Sequence, residues 1–315
     1  MRIKSRLKME SENFTIYTVI DLIVSIIAII GNLLVIIIVL KDKNTKTRML
    51  YYILSLSFAD LLSGVVAIPT GALIEQDIEI GHYSCLCMIS TVLSTFSISK
   101  FSILAITIDR YRAIIHPLSY RLVRKSPPIT SIVFCWITGI TIGALPLFGW
   151  RDNTLDNIKE QCTFSKIKST SYFLFQNITS TVTPMISILL IYGLIYVKVR
   201  KMNKKNDESK NESESQTEQA SLNTNSSYQS TQRREINVTW NILIIVSLFF
   251  VCWIPLNVLH LIEKIYDVTD KYKTLLMIFI ILSHSNSALN PFLYSFQIKT
   301  FRKSLLSAFR IQRTI

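Results

Sequence analysis

CLCMISTVLSTFSISKFSILAITIDRY, residues 85–111, is the stretch on which the reading of this chain turns. Leu86 to Ile108 is apolar enough and long enough to cross a bilayer as a helix, which takes roughly 20 residues. Asp109, Arg110 and Tyr111 follow without a break. Within the run Cys85, Val92 and Ser99 recur every seven residues with Phe96 beside them, so one stripe faces neighbouring helices, while Ile103, Leu104 and Ile108 stay apolar. The pattern predicts a buried helix with a charged foot at the edge of the membrane.

Six further apolar runs share the length of that one: Thr18 to Leu40, Tyr51 to Ile74, Ile129 to Trp150, Tyr172 to Val197, Val238 to Ile262 and Tyr272 to Phe296. A chain of 315 residues that is 50% hydrophobic does not read as a soluble domain. Backbone polar groups in hydrocarbon must be satisfied within their own segment. Long apolar runs are therefore helices, and the alternating ten-residue segments of a barrel do not occur. The expected fold is an all-α membrane protein, a bundle of seven transmembrane helices over residues 18–296, with an outer segment 1–17 before it and a short amphipathic helix and tail over 297–315.

The formal net charge of +13 does not point to nucleic acid, because Lys and Arg lie between the spans and not in one patch interleaved with aromatics. Lys41, Lys43, Lys46, Arg48, Arg121, Arg124, Lys125, the basic run from Lys198 to Lys205, Lys299, Arg302 and Lys303 fall on one side. That side carries roughly twice the basic residues of the other, which makes it cytoplasmic. With an odd number of spans the amino terminus is then outside, against the pull of Arg2, Lys4, Arg6 and Lys8, and the expected location is the plasma membrane. Met1 to Thr15 lacks a signal peptide's short apolar region, so the first span serves as its own insertion signal. Asn13-Phe14-Thr15 is a glycosylation acceptor on the outer face.

Cys85 tops the third span and Cys162 lies in the outer loop before the fifth; both face the oxidising side, where a disulfide persists and pins the loop to the bundle. Cys87, two residues on, is a rival partner. Cys135 and Cys252 sit mid-span as small packing residues. Asn203 to Gln232, rich in Ser, Asn, Glu, Gln and Thr, is expected to be disordered over 203–232. After the last span Phe301, Leu305, Leu306 and Phe309 recur at helical spacing among basic residues, as in a helix lying on the inner leaflet.

Polar residues inside the spans carry most of the functional signal, because burying them in lipid is costly. Asp60 is the only carboxylate of the second span; it needs a proton or a cation, and Ser99, Asn286 and Asn290 are the oxygen-bearing side chains expected to complete a small sodium site with it. Asn290-Pro291 followed by Tyr294 places a helix breaker beside a polar face, Pro255 kinks the sixth span and Pro184 the fifth.

Together these features resemble a rhodopsin-like G-protein-coupled receptor. Gly31-Asn32, Leu56 with Ala59-Asp60, Asp109-Arg110-Tyr111, Trp136, Pro184, Cys252-Trp253-Ile254-Pro255 and Asn290-Pro291 to Tyr294 occur in that family's order, one set per span, and the resemblance runs from about Val19 to Phe309. It implies an extracellular small-molecule ligand, a heterotrimeric G protein as inner partner, arrestin and a receptor kinase as further partners, and no cofactor beyond an allosteric sodium ion. It also implies that Asp109 and Glu235 hold Arg110 at rest, that Tyr192 and Tyr294 meet in the active state, and that Trp253 couples the ligand pocket to the change. Lys100 stands where the family carries an apolar residue near Pro184 and Phe249. A lysine there is costly unless neutral or paired, and is expected to bias the balance of resting and active packings.

Within the family, Leu145-Pro146 with Gly149-Trp150, Cys162-Thr163-Phe164, and Leu282 to Ser287 resemble adenosine receptors most closely. Val92 stands where amine receptors carry their aspartate counter-ion. The implied pocket is Asp21, Val92, Phe96, Phe164, Trp253, Leu256, Asn257, His260 and His284, with Phe164 stacking on a flat ring and Asp21 bonded to His284. The resemblance implies adenosine or another purine-like, flat, neutral molecule as ligand; His260 in place of the asparagine that grips a purine, Ser165 in place of an acid, Asn257 in place of a histidine and Phe96 in place of a smaller hydroxyl residue depart from that pattern and point to a different flat, largely neutral ligand. Other readings are a receptor for an amine, or a transporter or channel. The chain lacks the repeated halves of transporters, a selectivity-filter sequence, and the H-E-x-x-H and G-x-S-x-G motifs of hydrolytic enzymes.

Overall fold

A computed structural model describes residues 2–41, 47–74, 81–123, 126–151, 169–213, 222–266 and 272–297. Among them seven helices are long and apolar enough to cross a membrane, and no strand occurs. They are α1 (Arg2–Lys41), α2 (Arg48–Ile74), α3 (His82–Ile115), α4 (Ile129–Phe148, its last turn 3-10), α5 (Thr170–Ser213), α6 (Leu222–Tyr266) and α7 (Lys273–Gln297). All seven coincide with the runs read from hydropathy, and the chain is a multi-pass membrane protein. Large apolar side chains such as Ile23, Ile30, Phe134, Leu190 and Val251 stand exposed on the outer faces of the bundle, as they must where the solvent is lipid.

The helix containing the quoted stretch is the axis of the molecule. In the span of α3 72% of the residues are buried, against 28% in α4 and in α5. Cys85, Val92, Phe96 and Ser99 are all buried, so the seven-residue stripe does face its neighbours. The approach of α4 to α3 is closest where Gly139 and Gly143 meet the backbone of Ile98 and Ser94; a Cβ on Gly139 would sit 2.8 Å from the Ile98 nitrogen. Trp136 donates from Nε1 to the Ser55 hydroxyl at 3.0 Å, tying α4 to α2, and Asn32 donates to the Ala28 and Ser287 carbonyls at 2.9 and 3.0 Å, tying α1 to α7.

Prolines shape the bundle in two ways. Pro255 and Pro291 lie inside α6 and α7. In α2 and α5 the helix instead widens into a π turn, Ser63–Ala67 and Ile178–Val182, that ends two residues before Pro69 and Pro184. A proline has no N–H to offer the preceding turn and its ring crowds the carbonyl there, so the chain takes up one extra residue. In α2 the freed Gly64 carbonyl accepts a bond of 2.6 Å from Ser25.

The linker expected to be disordered over 203–232 is helical at both ends, since α5 runs on to Ser213 and α6 begins at Leu222. A helix already nucleated in the membrane extends at one hydrogen bond per residue without a new nucleation cost, and the Lys, Glu and Gln of these segments are good helix formers. Composition alone registers the lack of a core but not the adjoining nucleus. Helix also begins as early as Arg2, within the segment read as an outer terminus. The amphipathic helix expected over 297–315 lies outside the described residues beyond Gln297.

Candidate functional site

At the Cys85 end of the bundle, the polar and aromatic residues singled out from sequence converge between α1, α3, α6 and α7. His284 and Asp21 meet at 2.7 Å, Nδ1 to Oδ1, and both are buried. The other Asp21 oxygen, Oδ2, is buried without a hydrogen-bond partner among the described residues. Phe96 stacks on the His284 ring at 5.3 Å and takes the Trp253 ring edge-on, also at 5.3 Å. Asp21, His284, Phe96 and Trp253 thus form one continuous row from α1 to α6. Val92 and Leu256 are buried beside it. Asn257 turns back along its own helix, donating to the Trp253 carbonyl at 2.7 Å.

His260, toward the Tyr266 end of α6, faces Phe173 edge-on at 6.4 Å and lies 3.2 Å from the Glu263 carboxylate through Nδ1. Sequence reading missed Glu263 and Phe173. The three-residue spacing of His260 and Glu263 on one helix face was the available signal for the first. Phe164, Ser165 and Cys162 lie outside the described residues. Cys85 is disulfide-bonded while Cys87, exposed beside it, carries a free thiol, which removes Cys87 as the rival of Cys85 for the outer-loop cysteine. Of Asn13 only the helical backbone is described.

Deeper in the bundle Asp60 is fully buried and collects neutral donors: Ser99 at 3.1 Å and Ser287 at 2.9 Å on Oδ1, and Asn290 at 2.7 Å on Oδ2. Ser99 and Asn290 are where the sequence placed them. The hydroxyl of Ser287 makes the contact expected of Asn286, whose own amide oxygen is buried without a partner among the described residues, as is that of Asn290. Ser287 and Asn290 are three apart on α7 and share a face, which the sequence reading passed over in favour of the larger amide.

At the Arg110 end, Asp109 is the hub. Arg110 reaches its Oδ2 at 2.5 Å, the Tyr120 hydroxyl donates to the same oxygen at 2.7 Å, and Arg110 also donates to that hydroxyl at 2.6 Å. Oδ1 takes the Nε of Arg48 at 3.0 Å. All four side chains are buried. Tyr120 sits on a short helix, Pro117–Val123, that the sequence reading did not separate from the loop, and Arg48 had been read only as one of the basic residues that set topology. Tyr111 packs against the small cluster of Ile114, Ile195 and Val199. Of Glu235 only the backbone, within α6, is described. Tyr192 and Tyr294 are buried, and the Tyr192 hydroxyl has no hydrogen-bond partner among the described residues.

Residues 31–294 match the 7 transmembrane receptor (rhodopsin family). The chain is 31% identical to the adenosine receptor A2b of Gallus gallus over 91% of its length and 86% of that protein's. It is 30% identical to the adenosine receptor A2a of Homo sapiens, over 94% and 72% of the two chains, and 29% identical to the adenosine receptor A3 of Canis lupus familiaris, over 93% and 90%. With seven membrane-crossing helices in register with that match, the chain belongs to the rhodopsin family of seven-transmembrane receptors and is adenosine-receptor-like in sequence.

Proposed function

We propose that this receptor binds a flat, neutral small molecule of the purine nucleoside class at its Cys85 end, which faces outward, and in response promotes nucleotide exchange on a heterotrimeric G protein at its Arg110 end. The observation that carries the reading is the row Asp21–His284–Phe96–Trp253: a polar pair able to hold a hydroxylated ligand, joined by ring contacts to α6. Val92 gives a ligand ammonium no counter-charge from α3, and the carboxylates at this end, Asp21 and Glu263, are each already engaged by a histidine, so a cation left poorly paired here costs roughly several kcal/mol. Movement of Trp253 with α6 would open the Arg110 end, freeing the guanidinium from Asp109 and Tyr120 for the effector.

Two further features belong to this reading. The Cys85 disulfide is assigned to Cys162, pinning the outer loop that carries Phe164. The oxygen-only set of Asp60, Ser99, Ser287 and the unsatisfied Asn286 amide suits a hard monovalent cation, so these residues would hold sodium, which would supply the positive charge that the neutral donors around Asp60 lack.

A promiscuous G-protein reporter in cells tests the reading with adenosine, inosine, dopamine and serotonin as probes. His260, engaged by Glu263, offers a purine a different pattern from the amide it replaces, so the parent responds weakly or not at all to adenosine and His260→Asn with Ser165→Glu improves the response. Activation of the parent by dopamine or serotonin at low concentration, with no purine acting on either form, would overturn the ligand class.

A further inference from the structure

Lys100 is the cation that the ligand pocket and the Arg110 end do not use. It lies mid-span on α3 and is 3% exposed. Its Nζ stands 3.8 Å from the centroid of the Trp253 ring and donates to the Thr181 hydroxyl at 2.9 Å. Thr181 is 1% exposed and belongs to the π turn Ile178–Val182, whose extra residue sets which side chains of α5 face α3. One ammonium therefore touches α5 and α6 at once from α3. Trp253 is held in turn by Phe96, by Phe249 at 6.5 Å and by this cation.

A cation in dry surroundings is drawn to an indole face more strongly than at a wet surface. If Trp253 turned, or α6 swung away, the ring would leave the ammonium in a low-dielectric interior. In the packing where Lys100 makes these contacts, Arg110 is also engaged by Asp109 and Tyr120. The contacts at mid-span and at the Arg110 end thus occur together in one arrangement of the helices.

We infer that Lys100 is a positioning residue that acts through Trp253, strapping α5 and α6 to α3 and so holding the receptor in its low-activity packing. It makes this chain quieter without ligand than the same bundle with an apolar residue at that place. The inference rests on the proposed receptor function only for its link to signalling; the strap itself is read without a G protein.

The test uses the full-length receptor in nanodiscs, with Cys87→Ser and a polarity-sensitive fluorophore on Arg234→Cys near the inner end of α6. Lys100→Met is expected to shift the emission to the red, as the probe moves toward water, and to raise basal nucleotide exchange about fivefold or more. Thr181→Val should act in the same direction by about threefold, toward the low end of what one lost hydrogen bond provides. The double variant should exceed Lys100→Met by nothing, since both remove one interaction, and Lys100→Arg should stay near the parent. An unchanged probe and unchanged exchange in Lys100→Met, or a double variant equal to the product of the two singles, overturns the strap. Should Lys100→Met not fold, Lys100→Gln and Thr181→Val carry the same comparison. A red shift with no exchange on any G protein would instead sink the proposed coupling and leave the strap standing; ligand-driven exchange in the parent with an unmoved probe in Lys100→Met would do the reverse.

Discussion

Asp60 and Asp109 are both buried carboxylates that depend on α3, yet their surroundings are opposite. Asp109 meets two guanidiniums and a phenol, whereas Asp60 meets two hydroxyls and an amide. The first carboxylate is matched in charge by its own chain. The second is satisfied in hydrogen bonds but meets no cation among the described residues. A buried charge without a partner is tolerated only if something from outside, a proton or an ion, completes it. The contrast separates a latch, closed by the chain alone, from a receptacle that answers to its surroundings.

The largest effect should come from breaking the latch at its hub. Asp109→Ala leaves Arg48 and Arg110 buried without their carboxylate and should cost about 3–5 kcal/mol, read as a drop in Tm of purified receptor together with raised basal exchange. Asp60→Ala, which strands only neutral donors, should cost less; if the two variants melt alike, the distinction between the sites fails. Next in size is the ion response. Sodium chloride should raise the parent's Tm relative to choline chloride, and Asp60→Asn should abolish the difference, whereas Asp109→Asn should keep it. An equal sodium response in Asp60→Asn and the parent would remove the receptacle.

Smaller effects refine the latch. Arg48 shares Asp109 with Arg110, so Arg48→Met should leave the carboxylate's charge to Arg110, with the Tyr120 hydroxyl still donating, and lower basal exchange, by the factor that about 1 kcal/mol provides. A rise would mean that Arg48 holds Asp109 in place and does not compete for it. Tyr120→Phe loses one donor to Asp109 and one acceptor for Arg110, and should raise basal exchange by the equivalent of about 0.5–1.5 kcal/mol, less than Asp109→Ala. Exchange unchanged in Tyr120→Phe would assign the phenol to the position of the short helix only.

What the sequence revealed of these sites follows a physical rule. Asp60, Asn290, Asp109 and Arg110 are conspicuous because each is polar in or at the end of an apolar run, whereas the Asp21–His284 pair is legible only through the resemblance to adenosine receptors. Ser287 and Thr181 are not conspicuous, since a hydroxyl is cheap to bury when it bonds its own helix and many here do so, Ser97 and Thr107 among them. Arg48 was hidden by its position among loop cations, where charge is read as topology. Tyr120 sits in a turn of helix too short to show a period. The seven spans were legible because length and apolarity suffice for them; the contacts between spans depend on helix rotation, which the prolines alter.

That alteration has a consequence for comparing related chains. Each π turn, Ser63–Ala67 and Ile178–Val182, holds one residue more than an α-helical path would use. Everything between it and the Cys85 end of the bundle is rotated by about 100° relative to a straight count along the helix. A gap-free alignment anchored on Asp60 or Pro184 therefore loses phase in the turn whenever a relative lacks it, and substitutions there are scored against residues that face elsewhere. The two turns are also where a single-codon deletion should be absorbed most readily, the helix closing to its ordinary pitch while the segment toward the Cys85 end swings to a new azimuth. Along α2 and α5, insertion and deletion of one residue become a means of changing which side chains line the bundle without changing any of them.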